Sequence, residues 1–338
     1  MDELSQEPLL EYIRNNCHAE YSSFTIEITN TIREVGVRNM FIQQKLKDLI
    51  QKFEGEKISV VILKGSHLIH DIYPFGIRPL EDIDLLLQRK DFILADQIIR
   101  DMGYSDCSVG LDIWTHLQFS NKITYTNHTM PFIPIDIHFS LGPYPYLGRL
   151  NGEMLFESYT EKLATPSGEY NVLQTEILLI HLCLHLFQHH NENWQKSGCD
   201  IIAVILDKHD SINWDRFNHI VKENKLNLPV VYSLNKASEL APKKIIPTSV
   251  LNEIGNKKLG EYEQIIFNLS KRHLNTMEKH LLQFITTPSF TSKLQCLLRI
   301  IFPRRSFLNL HFSGSYVKYF FSILKTFIYF LKTVFSQQ

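Results

Sequence analysis

The sequence predicts an α+β protein: a mixed β-sheet core with helices, flanked by N-terminal helices and a C-terminal helical domain. Three observations carry that prediction. Helix-type apolar spacing opens the chain, short strand-type runs occupy residues 56–140, and helical periodicity returns from about Val172. At 338 residues, 44% apolar and 21% charged, the chain is long enough for two domains with a substantial core.

Each element follows from local pattern. Leu9, Leu10, Tyr12 and Ile13 repeat at helix spacing, and a longer helix is expected over Ser23–Phe53 with a break at Gly36. Strands are expected at Ile58–Leu63, Ile83–Leu87, Trp114–Phe119, Ile123–Tyr125 and Phe132–Phe139. A helix at Asp91–Met102 is stopped by Gly103, and Pro143, Pro145 and Gly148 punctuate the end of this region. Helices are then expected at Leu173–His190, Cys199–Lys208, Trp214–Glu223 and Pro229–Leu240, with Asp210-Ser211 and Pro229 marking starts, and again over 256–300. The resulting division is 1–55 helical, 56–165 sheet core, 166–300 helical, and 301–338 a basic apolar tail.

Composition narrows the function. Five scattered cysteines (Cys17, Cys107, Cys183, Cys199, Cys296) show no CxxC spacing, which points to a reducing compartment rather than a disulfide framework. The acidic start MDELSQEPLLEYIRNN lacks a signal-peptide core, so the cytoplasm is the expected location. The net charge of −1 hides an asymmetry: no Asp or Glu follows Glu278, so residues 279–338 carry +8 and residues 1–278 carry −9. A basic end implies an anionic membrane, nucleic acid or protein partner, while the acidic body disfavours a long nucleic-acid channel. Within the tail, Tyr316–Phe335 is apolar except for Lys318, Lys325 and Lys332, spaced by seven. Packing on protein, lying on a membrane and spanning one are the three readings of that helix.

Chemistry concentrates in LKGSHLIHDIYPFGIRPLEDIDLLL, residues 63–87. Side chains two apart on a strand share a face, so Asp82 and Asp84 project together. Two adjacent carboxylates repel unless a cation sits between them, and paired divalent ions are a standard device for phosphoryl chemistry. Gly65 lets backbone approach a phosphate, Ser66 adds a hydroxyl at the start of a helix, and Lys64 and Arg78 can steady phosphate charge. Asp136, in PIDIH, supplies a third carboxylate, whereas His138 beside it is expected on the opposite face. His67, His70 and Asp71 read as surface residues. Trp114, Tyr125 and Tyr144 are either base-stacking or core aromatics. His181, His185 and His189 share one helix face next to His190; they are structural, cleft-lining or metal-binding, and Asp200 is a candidate partner.

The combination GS…DID…PIDIH resembles the DNA polymerase beta superfamily of nucleotidyltransferases. More narrowly, LKG…YPFGIRPLEDIDLLL with PIDIHFSL resembles a bacterial family labelled "uncharacterised nucleotidyltransferase", over roughly residues 56–220. Two departures stand out: the gap from Ser66 to Asp82 is long, and Glu81 replaces a smaller residue. The resemblance implies a nucleotidyltransferase-type core that moves a nucleoside monophosphate from a triphosphate such as ATP to an acceptor and releases pyrophosphate. It further implies two Mg2+, with Mn2+ as a substitute. Asp82 and Asp84 would hold both ions, and Asp136 would hold one while activating the acceptor. Lys64, Gly65, Ser66 and Arg78 would hold the nucleotide. The alternative is a non-catalytic or membrane-docked partner-binding protein on the same scaffold.

Overall fold

A 34-residue helix, α1 (Ser22–Gly55), runs without a break through Gly36. The expected interruption is overturned, and the reason is steric. A Cβ at Gly36 would stand 2.3 Å from the ring of Phe75, so the glycine is a notch that admits an aromatic side chain, not a helix breaker. Ile42, Leu46, Leu49, Ile50 and Phe53 form the buried stripe of α1 at the spacing a core-facing helix requires. The computed structural model describes residues 22–107, 120–127, 132–142, 146, 149–188, 194–241, 245–255, 284, 290–303 and 305–335. The strand expected at Trp114–Phe119 lies outside them, as do Tyr144, His189, most of 256–289 and the helix around Leu9–Ile13.

Strands β1 (Val60–Ile62), β2 (Ile83–Leu87), β3 (Ser105–Asp106), β4 (Lys122–Thr126) and β5 (Ile135–His138) form one sheet in the order β1-β2-β5-β4-β3. β1 and β2 are antiparallel, with Val60 opposite Leu87 and Ile62 opposite Leu85. Every residue of β2 is buried, which explains its apolar run and makes its single carboxylate, Asp84, conspicuous. Between β1 and β2 lies helix α2 (Lys64–Asp71), and after β2 comes α3 (Phe92–Asp101), which ends before Gly103 at φ 84° as its sequence requires.

A hairpin absent from the expected strands follows: β6 (Thr160–Thr165) and β7 (Gly168–Leu173), after the short helix α4 (Gly152–Ser158). Its turn is legible in hindsight as Pro166-Ser167 before Gly168, whose φ of 137° suits only glycine. The hairpin protects the sheet, because Asn171 Nδ2 donates to the Val60 carbonyl at 2.9 Å and so occupies part of the exposed edge of β1.

Helices α5 (Thr175–Gln188), α6 (Trp194–Asp207), α7 (Trp214–Glu223), α8 (Asn227–Ser238) and α9 (Thr248–Gly255) form a bundle. α7 starts at Asn213, whose side chain caps the Arg216 amide at 2.9 Å, rather than at Asp210-Ser211. α6 begins at Trp194, before the expected Cys199, and Gly198 within it sits so close to Leu240 that a Cβ would meet it at 2.8 Å. The last helices are α10 (Phe290–Ile301), α11 (Arg305–Phe312) and α12 (Tyr316–Phe335). Among the described residues no helix is long and apolar enough to cross a membrane. By backbone proximity the chain divides into two compact units. One holds 1–105, 124–137 and 159–174, and the other holds 106–123, 138–158 and 175–338.

Candidate active site

The site is built on backbone pairings that leave β2 no freedom. The Leu63 amide donates to the Asp84 carbonyl at 3.0 Å on one side, and the Ile83 amide donates to the Pro134 carbonyl at 2.9 Å on the other. Asp84 and Asp136 therefore sit on neighbouring strands, 2% and 3% exposed. Ligand atoms of Asp84, Asp136 and His138 all lie within 4.8 Å of one another. This overturns the expectation for His138: it follows Asp136 by two positions, so period-two alternation puts both on one face. Asp82, half-buried, precedes β2 by one residue, and Glu81 before it is exposed.

A lysine meets the carboxylates. Lys64 Nζ donates to Asp84 Oδ1 at 2.6 Å in a buried ion pair. Burial alone would lower the affinity of Lys64 for its proton. The charge and hydrogen bond of Asp84 outweigh that, with the charges of Asp82 and Asp136 adding to it, and hold the ammonium above the ordinary lysine value. All three acids thus act on one cation. Lys64 itself adopts φ 42°, a left-handed backbone that costs a non-glycine residue about 1–2 kcal/mol. The turn from β1 into α2 is strained where the ion pair forms.

Thr124 on β4 completes the Asp136 environment, its hydroxyl donating to Asp136 Oδ1 at 2.5 Å. This contact fixes the carboxylate from the side away from β2. No motif flags Thr124 in the sequence; only the pairing of β4 with β5 brings it there.

The phosphate-type elements also converge. Gly65 has no room for a side chain: a Cβ would lie 2.4 Å from Arg78 Nη1 and 2.8 Å from Leu80. The glycine therefore admits the Arg78 guanidinium against the start of α2. Ser66 is 1% exposed, and its hydroxyl finds no hydrogen-bond partner among the described residues. Leu63, at the N-cap of α2, supplies no side-chain cap to the first amides of the helix.

The long loop between α2 and β2 is tied down by α1. Asn39, 3% exposed, donates through Nδ2 to the Arg78 carbonyl at 2.8 Å and accepts the Leu80 amide on Oδ1 at 2.9 Å. Phe75 fills the notch at Gly36, and Gly76, at φ 75°, packs so closely on Ile32 that a Cβ would lie 2.4 Å from its carbonyl oxygen. The long Ser66–Asp82 spacing is thereby explained: the extra residues reach across to a helix and return. Asn39 has no sequence signal beyond being a polar residue on an apolar stripe.

The histidines divide. His67 is buried at 1% exposure and His70 and Asp71 are half-buried, which overturns the surface reading; the first turn of α2 is part of the core. His181 is buried on α5 with its ring edge-on to His138 at 6.3 Å, while His185 is half-buried and His189 lies outside the described residues. Asp200 is buried on α6. Tyr125 is a core residue whose hydroxyl donates to Asp96 at 2.6 Å.

The site thus joins two buried strands that bear carboxylates, a lysine paired with Asp84 and the start of a helix. Residues 14–242 match the family described as "Uncharacterised nucleotidyltransferase", and the chain belongs to that family. Among solved structures, it is similar at 15% identity to an antigenic nucleotidyltransferase-like protein from Paracoccidioides brasiliensis. That match covers 62% of this chain and 95% of the other with a TM-score of 0.37, too distant to bear on the chemistry. No curated protein matches the chain.

Proposed function

We propose that this protein transfers a nucleoside monophosphate from a nucleoside triphosphate, ATP among the candidates, to a small-molecule, peptide or protein acceptor and releases pyrophosphate. The observation that carries the reading is the meeting of Asp84 and Asp136 on adjacent buried strands, with Asp82 close enough to act on the same Lys64 ammonium. Donors of this type, oxygen with one imidazole nitrogen, suit a divalent cation. Asp82, Asp84 and Asp136 would hold it, with His138 as a further donor. Such ions, two Mg2+ or Mn2+ in this reading, supply charge to the phosphate oxygens when bound.

The chain's own residues perform the rest. Asp136, oriented by the Thr124 hydroxyl, accepts the proton of the acceptor nucleophile. Ser66 and the first amides of α2 receive phosphate oxygens, and Arg78 steadies the charge that develops on departing pyrophosphate. Lys64 neutralises Asp84 in the resting site and reaches a phosphate oxygen when the nucleotide enters. His181, His185, His189 and Asp200 are assigned a cleft-lining role that serves the acceptor. The scattered cysteines support a cytoplasmic setting. Partners are then the triphosphate, the acceptor and, through 301–338, an anionic membrane or protein surface.

Asp84→Asn tests the reading. Full-length protein is given each of the four triphosphates with a cell-extract acceptor fraction, and pyrophosphate is measured. The variant is expected to lose about 100-fold or more of the metal-dependent release. Equal release by wild type and variant would sink the proposal.

A further inference from the structure

The C-terminal helix carries one buried face and one bare one. Tyr319 is 2% exposed and packs with Phe307 and Leu308 of α11, joined by Phe312 and Ile323. Its hydroxyl donates to the Ile300 carbonyl at the end of α10. This aromatic cluster fixes the rotation of α12. The opposite face is then determined: Val317, Phe320, Phe321, Leu324, Phe327 and Ile328 recur at helix spacing, from 46% to 67% exposed. An ordinary core-facing helix does not leave two adjacent phenylalanines this bare.

Charge says what would cover such a face. Lys318 and Lys325 are exposed and lie seven residues apart, so they line one margin of the apolar stripe. No Asp or Glu occurs anywhere in residues 279–338. A protein–protein interface is depleted in lysine relative to the rest of the surface. An anionic lipid surface needs the arrangement seen here: aromatic and aliphatic groups to enter the acyl boundary, with flexible lysine stems keeping their ammonium groups at headgroup level. The helix fits lying on a bilayer, because no described helix is long and apolar enough to cross one.

We infer that α12 docks this protein on an anionic lipid surface with Val317, Phe320, Phe321, Leu324, Phe327 and Ile328 facing the bilayer. The lysine margin selects negatively charged headgroups. The inference does not depend on the nucleotidyl-transfer reading, since it rests on a different part of the chain.

The test uses full-length protein in co-sedimentation with vesicles of pure phosphatidylcholine and of phosphatidylcholine mixed with phosphatidylglycerol. Binding is expected to the mixed vesicles and to weaken strongly with salt. Lys318→Gln with Lys325→Gln should weaken it by about twenty-five-fold, since each lysine near an anionic surface contributes about fivefold. Phe320→Ser with Phe321→Ser should abolish it while circular dichroism remains that of wild type. Failure to bind either vesicle would overturn the inference, as would equal binding to both with no effect of the lysine substitutions. So would a concentration-dependent dimer in sedimentation that the phenylalanine substitutions dissolve, because the face would then belong to a second copy.

Discussion

The strand–helix turn at Ile62–Ser66 and the tail helix α12 solve opposite problems with the same materials. At the turn, charged groups are buried and every one is tied to something: Lys64 to Asp84, Asp136 to Thr124, and the Arg78 loop to Asn39. At α12, apolar groups are exposed and the cations stand in water. Burying a charge is expensive unless it is paired, and exposing a phenylalanine is wasteful unless something covers it. Under the function and the docking proposed above, the first place would take a polyanion with cations and the second a lipid surface.

Three measurements would break or sharpen that contrast. The largest effect is expected at Thr124→Val, which removes the hydroxyl from Asp136 without changing the shape of the side chain. Divalent-metal affinity, read by Mn2+ paramagnetic resonance on the nucleotide-free protein, should fall by about 10- to 100-fold. Unchanged affinity would show that Asp136 needs no orienting partner.

Next comes Asn39→Ala, which leaves the buried Leu80 amide and the Arg78 carbonyl without their side-chain partner. Chemical denaturation should register a loss of about 1–3 kcal/mol. A loss within experimental error would mean that the loop is held by Phe75 and Gly76 alone. Smallest is the Phe320→Ser, Phe321→Ser pair. Both side chains are 67% exposed, so stability in the absence of lipid should move by less than about 0.5 kcal/mol per site. A loss of several kcal/mol would place those rings in a protein core and erase the contrast.

The parts of the fold written in chemistry were the most legible. Asp-Ile-Asp leading into an apolar run, followed by a third acid in PIDIH, has few explanations other than strands that share a charge problem. The sheet brings Asp84 and Asp136 together through the pairing of β2 and β5. His138 was misread as facing away, although period two places it with Asp136. The positions of α3, α5, α7 and α8 followed from periodicity within a few residues.

What stayed hidden depends on tertiary partners. Gly36 reads as a breaker from propensity, but its reason is the ring of Phe75, thirty-nine residues away in sequence. Asn39 and Thr124 are ordinary polar residues until the fold supplies what they bind. The β6–β7 hairpin was lost because its outer strand has no buried residue and is mostly polar, so its alternation carried little apolar signal.

The double grip of Asn39 on the Arg78–Leu80 segment has a practical consequence for anyone dividing this protein. A chain begun at residue 56, just before the first strand, would keep all three acids and the lysine. It would lose the amide that steadies the guanidinium's backbone and the groove that seats Phe75. Such a fragment would keep the three carboxylates and lose the hold on the Arg78 loop, so an inactive fragment would say nothing about the carboxylates.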